Sequence, residues 1–353
     1  MEFSYIIQIF IGFIGLVLIA IPFSSNRKII NYRHIISAIL FQLFLAFILI
    51  KVPVITNLFS YLADAVAALQ IATGKGTEFV FGYLGGGTLP FDLAQKGSAL
   101  IFAFSILPFI IVMSSITAAL WYWGILPFIV NIFSKICQRL FNIGGPIGLG
   151  AAANVIVGQV EAPLLIRPYL SKLSNKELLI LMTAGMSTVA GSIMVALVSM
   201  LQLQFNDLNL IQHFLTASIL SVPAAILFAN ILMPSNEVTD FDGDETPKIY
   251  DNTMDAITRG TRDGTDIAIG VGSILIVFIA LVYLVDSILG IFSIGNQALS
   301  LQMILGYIFA PIAWLMGIPW EEAIVSGKLL GIKTALNEFV AYAELANIQD
   351  GLI

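Results

Sequence analysis

Apolar and polar positions divide this chain into long charge-free runs joined by short charged or glycine-rich connections. Runs long enough to cross about 30 Å of hydrocarbon lie at 4–23, 35–50 (extendable through Lys51 to 55), 99–123, 178–205, 208–232 and 267–285. They predict about six transmembrane helices. The run 287–320 is also uncharged, but Gly290, Gly295, Gly306, Pro311, Gly317 and Pro319 interrupt it, which predicts broken elements in place of one span. Segments 56–70 and 125–142 have mixed faces, the second with Lys135 and Arg139 among Phe, Ile and Leu. Both are expected to lie in the membrane interface and not to cross. No Lys or Arg precedes the first run and Glu2 stands before it, so it reads as a span and not as a signal peptide.

Two stretches break this regularity in the same way. Residues 141–170, FNIGGPIGLGAAANVIVGQVEAPLLIRPYL, fall into two apolar halves of about a dozen residues, each too short to span. Arg139 before them and Arg167 and Lys172 after them put both ends on one side, which predicts a re-entrant hairpin with Asn154, Gly158, Gln159 and Glu161 at its tip. Irregular backbone at membrane depth survives only when it is buried in protein or lines a wet cavity. A carboxylate there is expected to face the interior and meet a substrate, an ion or a partner; the alternative for Glu161 is a structural tie to Arg167. Within the next run, MTAGMSTVAGS carries Gly185, Ser187, Thr188, Gly191 and Ser192, a weak helix interior that predicts a break, the alternative being close helix packing. Near the C-terminus PWEEAIVSGKLLGIKTALNEFVAYAELA repeats the theme with Asn337 and Glu338 at a polar tip. Hairpins entering from opposite faces beside broken helices are the layout of inverted-repeat secondary transporters.

Composition fits that layout: 58% of the 353 residues are hydrophobic and 11% charged, less than half the charge of a usual soluble domain. Arg27, Lys28 and Arg33 between the first two runs place that loop in the cytoplasm and the N-terminus outside. Alternate threading keeps Lys135, Arg139, Arg167, Lys172, Lys176, Lys248, Arg259 and Arg262 on the same inner side and Lys51, Lys75 and Lys96 outside. The net charge of −6 comes with an acidic connection and no basic stripe, which excludes nucleic-acid partners. Cys137 stands alone and His34 and His213 lie far apart, so neither a disulfide framework nor a His/Cys metal site is expected. In 234–266, Asp240, Asp242, Asp244 and Glu245 lack calcium-loop spacing, with Thr253 where the closing Glu would stand, and Asp255, Arg259, Arg262 and Asp266 suit helical pairing. ATGKGTEFVFGYLGGG lacks the order of a phosphate-binding loop and is expected to be an outer glycine-rich loop.

The stretches FVFGYLGGG (80–88), GQVEAPLLIRPYL (158–170), MTAGMSTVAGS (182–192), GYIFAPIAWLMGIPW (306–320) and LNEFVAY (336–342), in this order, resemble the concentrative nucleoside transporter family. With the charge-free runs above it gives an all-α polytopic inner-membrane protein of about six transmembrane helices, and the resemblance implies two re-entrant hairpins and assembly as a homotrimer among lipids. It also implies import of nucleosides by symport with sodium or protons, without an organic cofactor. By motif, Gln159 and Glu161 would bind the nucleobase, with Ile193 packed beside it and Glu338 holding the ribose. Val160 stands where many sodium-coupled relatives carry a hydroxyl residue, leaving base preference open. Sodium would sit on Asn154, Val157, Thr188 and Val189, the valines acting through their carbonyls. The segments then read as scaffold helices (1–123), a first transport repeat (124–232), an acidic connection (233–266), a scaffold helix (267–292) and the start of a second repeat (293–353).

Because the family continues through another unwound helix and a final span, an end at Ile353 predicts a truncated or frameshifted member. A non-transporting remnant is the alternative. A membrane-embedded enzyme using Glu161 or Glu338 as base is disfavoured, since no His, Cys or Asp lies within either hairpin.

Overall fold

The structure is a computed structural model, and it describes residues 2–30, 32–91, 101–141, 143–156, 158–159, 162–202, 205, 209–235, 239, 249–294 and 297–348. Along the chain run α1 (Glu2–Ala20), α2 (Tyr32–Lys51), α3 (Pro53–Phe81), α4 (Phe102–Ser105), α5 (Leu107–Tyr122), α6 (Ile125–Phe141), α7 (Gly145–Asn154) and α8 (Ala162–Leu165). They are followed by α9 (Asn175–Ser187), α10 (Gly191–Gln202), α11 (Leu210–Leu232), α12 (Thr253–Leu289), α13 (Leu301–Leu315), α14 (Trp320–Ala335) and α15 (Glu338–Asn347). Among the described residues the only extended pairing is a two-residue antiparallel contact between Ser293–Ile294 and Gln297–Ala298.

Among the described residues four helical stretches are long and apolar enough to cross a membrane: Pro53–Gly85, Phe102–Tyr122, Leu210–Leu232 and Thr253–Leu289. α1 and α2 are shorter apolar helices, and α13 with α14 forms a pair bent by 117°. The first of the four runs through 56–70, the segment expected in the interface, with length and apolarity enough to cross, and it corrects the loop reading of the glycine-rich stretch. α3 runs through both, and a single 3-10 turn, Gly82–Gly85, ends it. The helix passes straight through Gly74, Lys75 and Gly76 of the stretch expected to be a loop. Those glycines meet no neighbour within 4 Å, and Lys75 pairs with Glu78 one turn on at 2.9 Å. Two interior glycines cost a long helix only about 1 kcal/mol each.

The chain divides into two compact bodies, one of Met1–Pro22, Ser199–Asn206 and Ile269–Ile353, the other of Phe23–Val198 and Asp207–Ala268. In the first, α1 closes the end of α13. Gln8, 8% exposed, donates both amide hydrogens, to the Trp314 carbonyl at 2.8 Å and the Ile318 carbonyl at 2.9 Å. Trp314 lies in the last turn of α13 and Ile318 in the turn before α14, so one side chain ties both to α1. Gly12 lets α1 approach until any Cβ there would collide with the Leu315 carbonyl. α14 and α15 then fold back on each other, since Lys328 and Glu344, equally far from the intervening turn, form an ion pair. This is the hairpin expected at 319–346.

In the second body α12 lays Ala256, Gly260, Gly264 and Ala268 against its neighbours. A Cβ at Gly260 would lie 2.8 Å from Ala118 Cβ, and one at Gly264 2.8 Å from Ile111 Cα, so the stripe is what allows α5 and α12 to touch. The expected Asp255 to Arg259 pair is formed at 2.8 Å. α6 buries Leu126, Val130, Ser134, Cys137 and Phe141 at helical spacing and exposes Ile125, Phe128, Ile129 and Ile132. α7 is buried from Pro146 to Asn154.

The start of α9 gathers three segments around one carboxylate. Ser174 and Glu177 form a capping box, and Glu177 also accepts the Thr239 backbone N–H at 2.8 Å and hydroxyl at 2.7 Å. Lys176 donates to the Ser235 carbonyl at 2.7 Å, while Gly144, just before α7, lies so close to the Thr239 carbonyl that no side chain would fit. Burial alone would raise the Glu177 pKa. The hydrogen bonds from Thr239 and Ser174 outweigh it and hold the carboxyl below its ordinary value. The group therefore stabilises the fold at neutral pH, and that contribution is lost as pH falls from the ordinary carboxylate range through the depressed folded value. Glu177→Gln, which turns an amide hydrogen toward donors, is expected to cost about 1–3 kcal/mol. Thermal denaturation in detergent should show a lower midpoint for the variant at pH 7 and a shrinking difference in acid; equal midpoints at pH 7 would contradict the assignment.

Candidate binding site at two interrupted helices

Two interruptions of helix meet in the second body. α7 is ten residues, about 15 Å long, and stops at Asn154. Beyond the tip the chain returns alongside it, because a Cβ at Gly150 would lie 3.1 Å from Ile166 Cδ1. Gly158 supplies the turn with φ +96, and a Cβ there would come 2.7 Å from Ala190 Cβ, so both conformation and space require glycine. The second interruption falls at Thr188–Ala190, between α9 and α10, inside MTAGMSTVAGS as the sequence predicts.

The broken ends cross-bond. Gly191 N–H donates to the Ile156 carbonyl at 2.9 Å, tying the start of α10 to the hairpin tip. The Thr188 hydroxyl lies 2.9 Å from the Ala184 carbonyl and 3.3 Å from that of Asn154 and donates to them. Val189 N–H leaves its own helix for Ser218 Oγ on α11 at 3.1 Å. Gly185 admits the tip from the other side: a Cβ there would stand 2.8 Å from Gln159 Cβ and 3.5 Å from Asn154 Oδ1. Asn154 itself is 0% exposed, and among the described residues neither Oδ1 nor Nδ2 has a hydrogen-bond partner. Leaving a buried amide unpaired costs about 1–3 kcal/mol, so this side chain is unusual for a packed interior.

Of the residues expected from the sequence, Asn154, Gln159, Thr188 and Val189 come together here, with Ile193 half-buried on the first turn of α10. Val157, Val160 and Glu161 lie outside the described residues, as does any tie from Glu161 to the Arg167 side chain. Asn337 and Glu338 belong to the other body. Asn337 caps α15, accepting Val340 N–H at 3.0 Å, and half-buried Glu338 opens that helix, where the dipole favours a negative charge. Sequence reasoning did not reach Ser218, Ile156 or Gly185 contacts, because a small residue in an apolar run carries no mark of what it touches.

The chemistry on offer is oxygen from amide, hydroxyl and carbonyl groups, suited to a hard monovalent cation or to hydrogen bonding with a polar solute. Among the described residues no group of three or more His, Cys, Asp and Glu side chains could hold a metal. Cys137 plays no part; burial pushes its thiol up to about 12, so a thiolate is not available at neutral pH. Maleimide is expected to label it only after denaturation, and stoichiometric labelling of the folded protein would overturn this packing.

Comparisons with known proteins point one way. The profile described as Na+ dependent nucleoside transporter N-terminus matches residues 11–84, the corresponding C-terminus profile matches 213–352, and one described as nucleoside recognition matches 103–204. Nucleoside permease NupC of Helicobacter pylori is 34% identical over 348 residues, covering 98% of this chain and 80% of that protein. Sodium/nucleoside cotransporter 1 of Mus musculus is 30% identical over 329 residues, 92% of this chain and 48% of that protein. Among solved structures, CNTnw in an inward-facing substrate-bound state superposes with a TM-score of 0.85 at 32% identity, covering 98% of this chain and 82% of that one.

Proposed function

This chain belongs to the Na+-dependent nucleoside transporter family, and we propose that it imports nucleosides across the inner membrane by symport with a cation, sodium in the first instance. One observation carries the reading. The fully buried Asn154 amide, unpaired at the end of one interrupted helix and beside the interruption of another, is a ligand group waiting for a partner. Sodium as co-substrate would take Asn154 Oδ1, the Thr188 hydroxyl and the carbonyls of Val157 and Val189. Neutral oxygens of this kind bind a monovalent ion weakly enough to release it. Gln159 and Glu161 would hold the nucleobase beside Ile193, with Val160 lining the same place and Glu338 holding the ribose. Both hairpins would be re-entrant, and the N-terminus would lie outside. The apolar exposed positions of α3, such as Val54, Leu58, Tyr61 and Ile71, suit lipid and the neighbouring protomers of a homotrimer.

Transport follows from the same geometry. With the cation absent, the interrupted ends hold an unpaired amide; with it bound, the tip and the break close on one ligand, and the nucleoside contacts at Gln159 are set. Coupling is then the shared dependence of both ligands on one local arrangement.

Proteoliposomes carrying the full chain are expected to accumulate radiolabelled uridine when an inward sodium gradient is imposed, and not when sodium is equal on both sides; uptake indifferent to both sodium and pH gradients would reject symport. Asn154→Leu keeps the volume and removes the unpaired amide. It should lower sodium-driven uptake by roughly tenfold or more while leaving the melting temperature unchanged or higher. A variant that melts earlier yet transports normally would show Asn154 to be structural.

A further inference from the structure

On either side of the break N–H groups find carbonyls: Thr188 N–H keeps Ala184, and Gly191 N–H takes Ile156. Val189 N–H takes a side chain from a different helix, the Ser218 hydroxyl of α11 at 3.1 Å. In a continuous α-helix that amide would bond the Gly185 carbonyl. Ser218 thus offers an alternative acceptor that competes with rewinding of the break. It sits 1% exposed, away from bulk solvent. In a trans peptide the C=O and N–H point in opposite directions. Anchoring Val189 N–H on α11 therefore turns the Thr188 carbonyl away from α11, and the Thr188 hydroxyl on the same residue lies against Asn154.

We propose that Ser218 is a positioning residue for the cation site: it touches no ligand itself, and it holds the helix interruption at Thr188–Ala190 open in the geometry that presents Thr188 and Val189 beside Asn154. The inference rests on the cation reading of that site. It adds a third element, α11, to the hairpin and the broken helix, and it makes cation affinity sensitive to a residue outside the ligand set.

Two measurements on the full chain separate this inference from the function it builds on. In Ser218→Ala, hydrogen exchange of peptides spanning 185–192 should lose the protection of the Val189 amide, while peptides from α5 and α12 exchange as in wild type. In proteoliposomes, the sodium concentration giving half-maximal uridine uptake should rise roughly five- to tenfold, with the uridine KM at saturating sodium changed less than about twofold. Ser218→Thr, which keeps an acceptor oxygen, should restore both readouts at least in part, and Ser218→Cys serves the same purpose if the added methyl prevents folding. Unchanged exchange at Val189, or a loss of uptake in Ser218→Ala with sodium dependence intact, overturns the positioning role. If wild-type uptake does not respond to sodium, the cation reading fails, and the exchange measurement alone then decides whether Ser218 holds the break.

Discussion

An interrupted helix inside an apolar body leaves amides and carbonyls that its own ladder no longer satisfies, and most of the second body is arranged around that demand. With lipid outside and packed side chains inside, each freed group must be met by another piece of protein or by a ligand. The tip of the first hairpin meets one through the Ile156 carbonyl, α11 meets one through Ser218, and the Thr188 hydroxyl lies against two carbonyls. One polar side chain at the junction, Asn154, is left over. Pairing these backbone groups across elements while leaving the Asn154 side-chain amide unpaired concentrates binding capacity at this junction.

The same demand is answered in the first body by different means. There the end of α13 is closed by a glutamine reaching across from α1, and glycines at 12 and 15 remove the side chains that would keep the helices apart. At the start of α9 a charged residue does this work: Glu177 collects donors from its own turn and from Thr239, drawing the connection after α11 onto the base of the first hairpin. Small residues and a few long polar ones thus act in pairs, the first permitting approach and the second exploiting it.

Much of this was legible in the sequence because the constraint writes itself in composition. Gly and Pro within charge-free runs mark both hairpins, small and hydroxyl residues including Thr188 mark the break in MTAGMSTVAGS, and Asn154 and Gln159 stand out by being polar where nothing polar is cheap. What failed to show were properties of contact. The glycine-rich stretch of α3 reads as a loop by composition, whereas a helix this long carries Gly74 and Gly76 without ending. Ser218, in LTASILSVP, is indistinguishable by sequence from Ser221 three residues later, which merely bonds the Ala217 carbonyl of its own helix. Only the arrangement of α11 against the break tells the two apart.

The unpaired amide of Asn154 has a further meaning in terms of linked equilibria. A group that destabilises the empty fold and is satisfied on binding makes its ligand a stabiliser of the native state, by an amount that grows with the logarithm of ligand concentration. On the reading proposed above, sodium is then not only cargo but a folding ligand. A protomer whose site faces the sodium-rich side of the membrane is held more firmly than one facing the poor side, so the gradient that drives transport also sets how often the site region opens locally in each orientation.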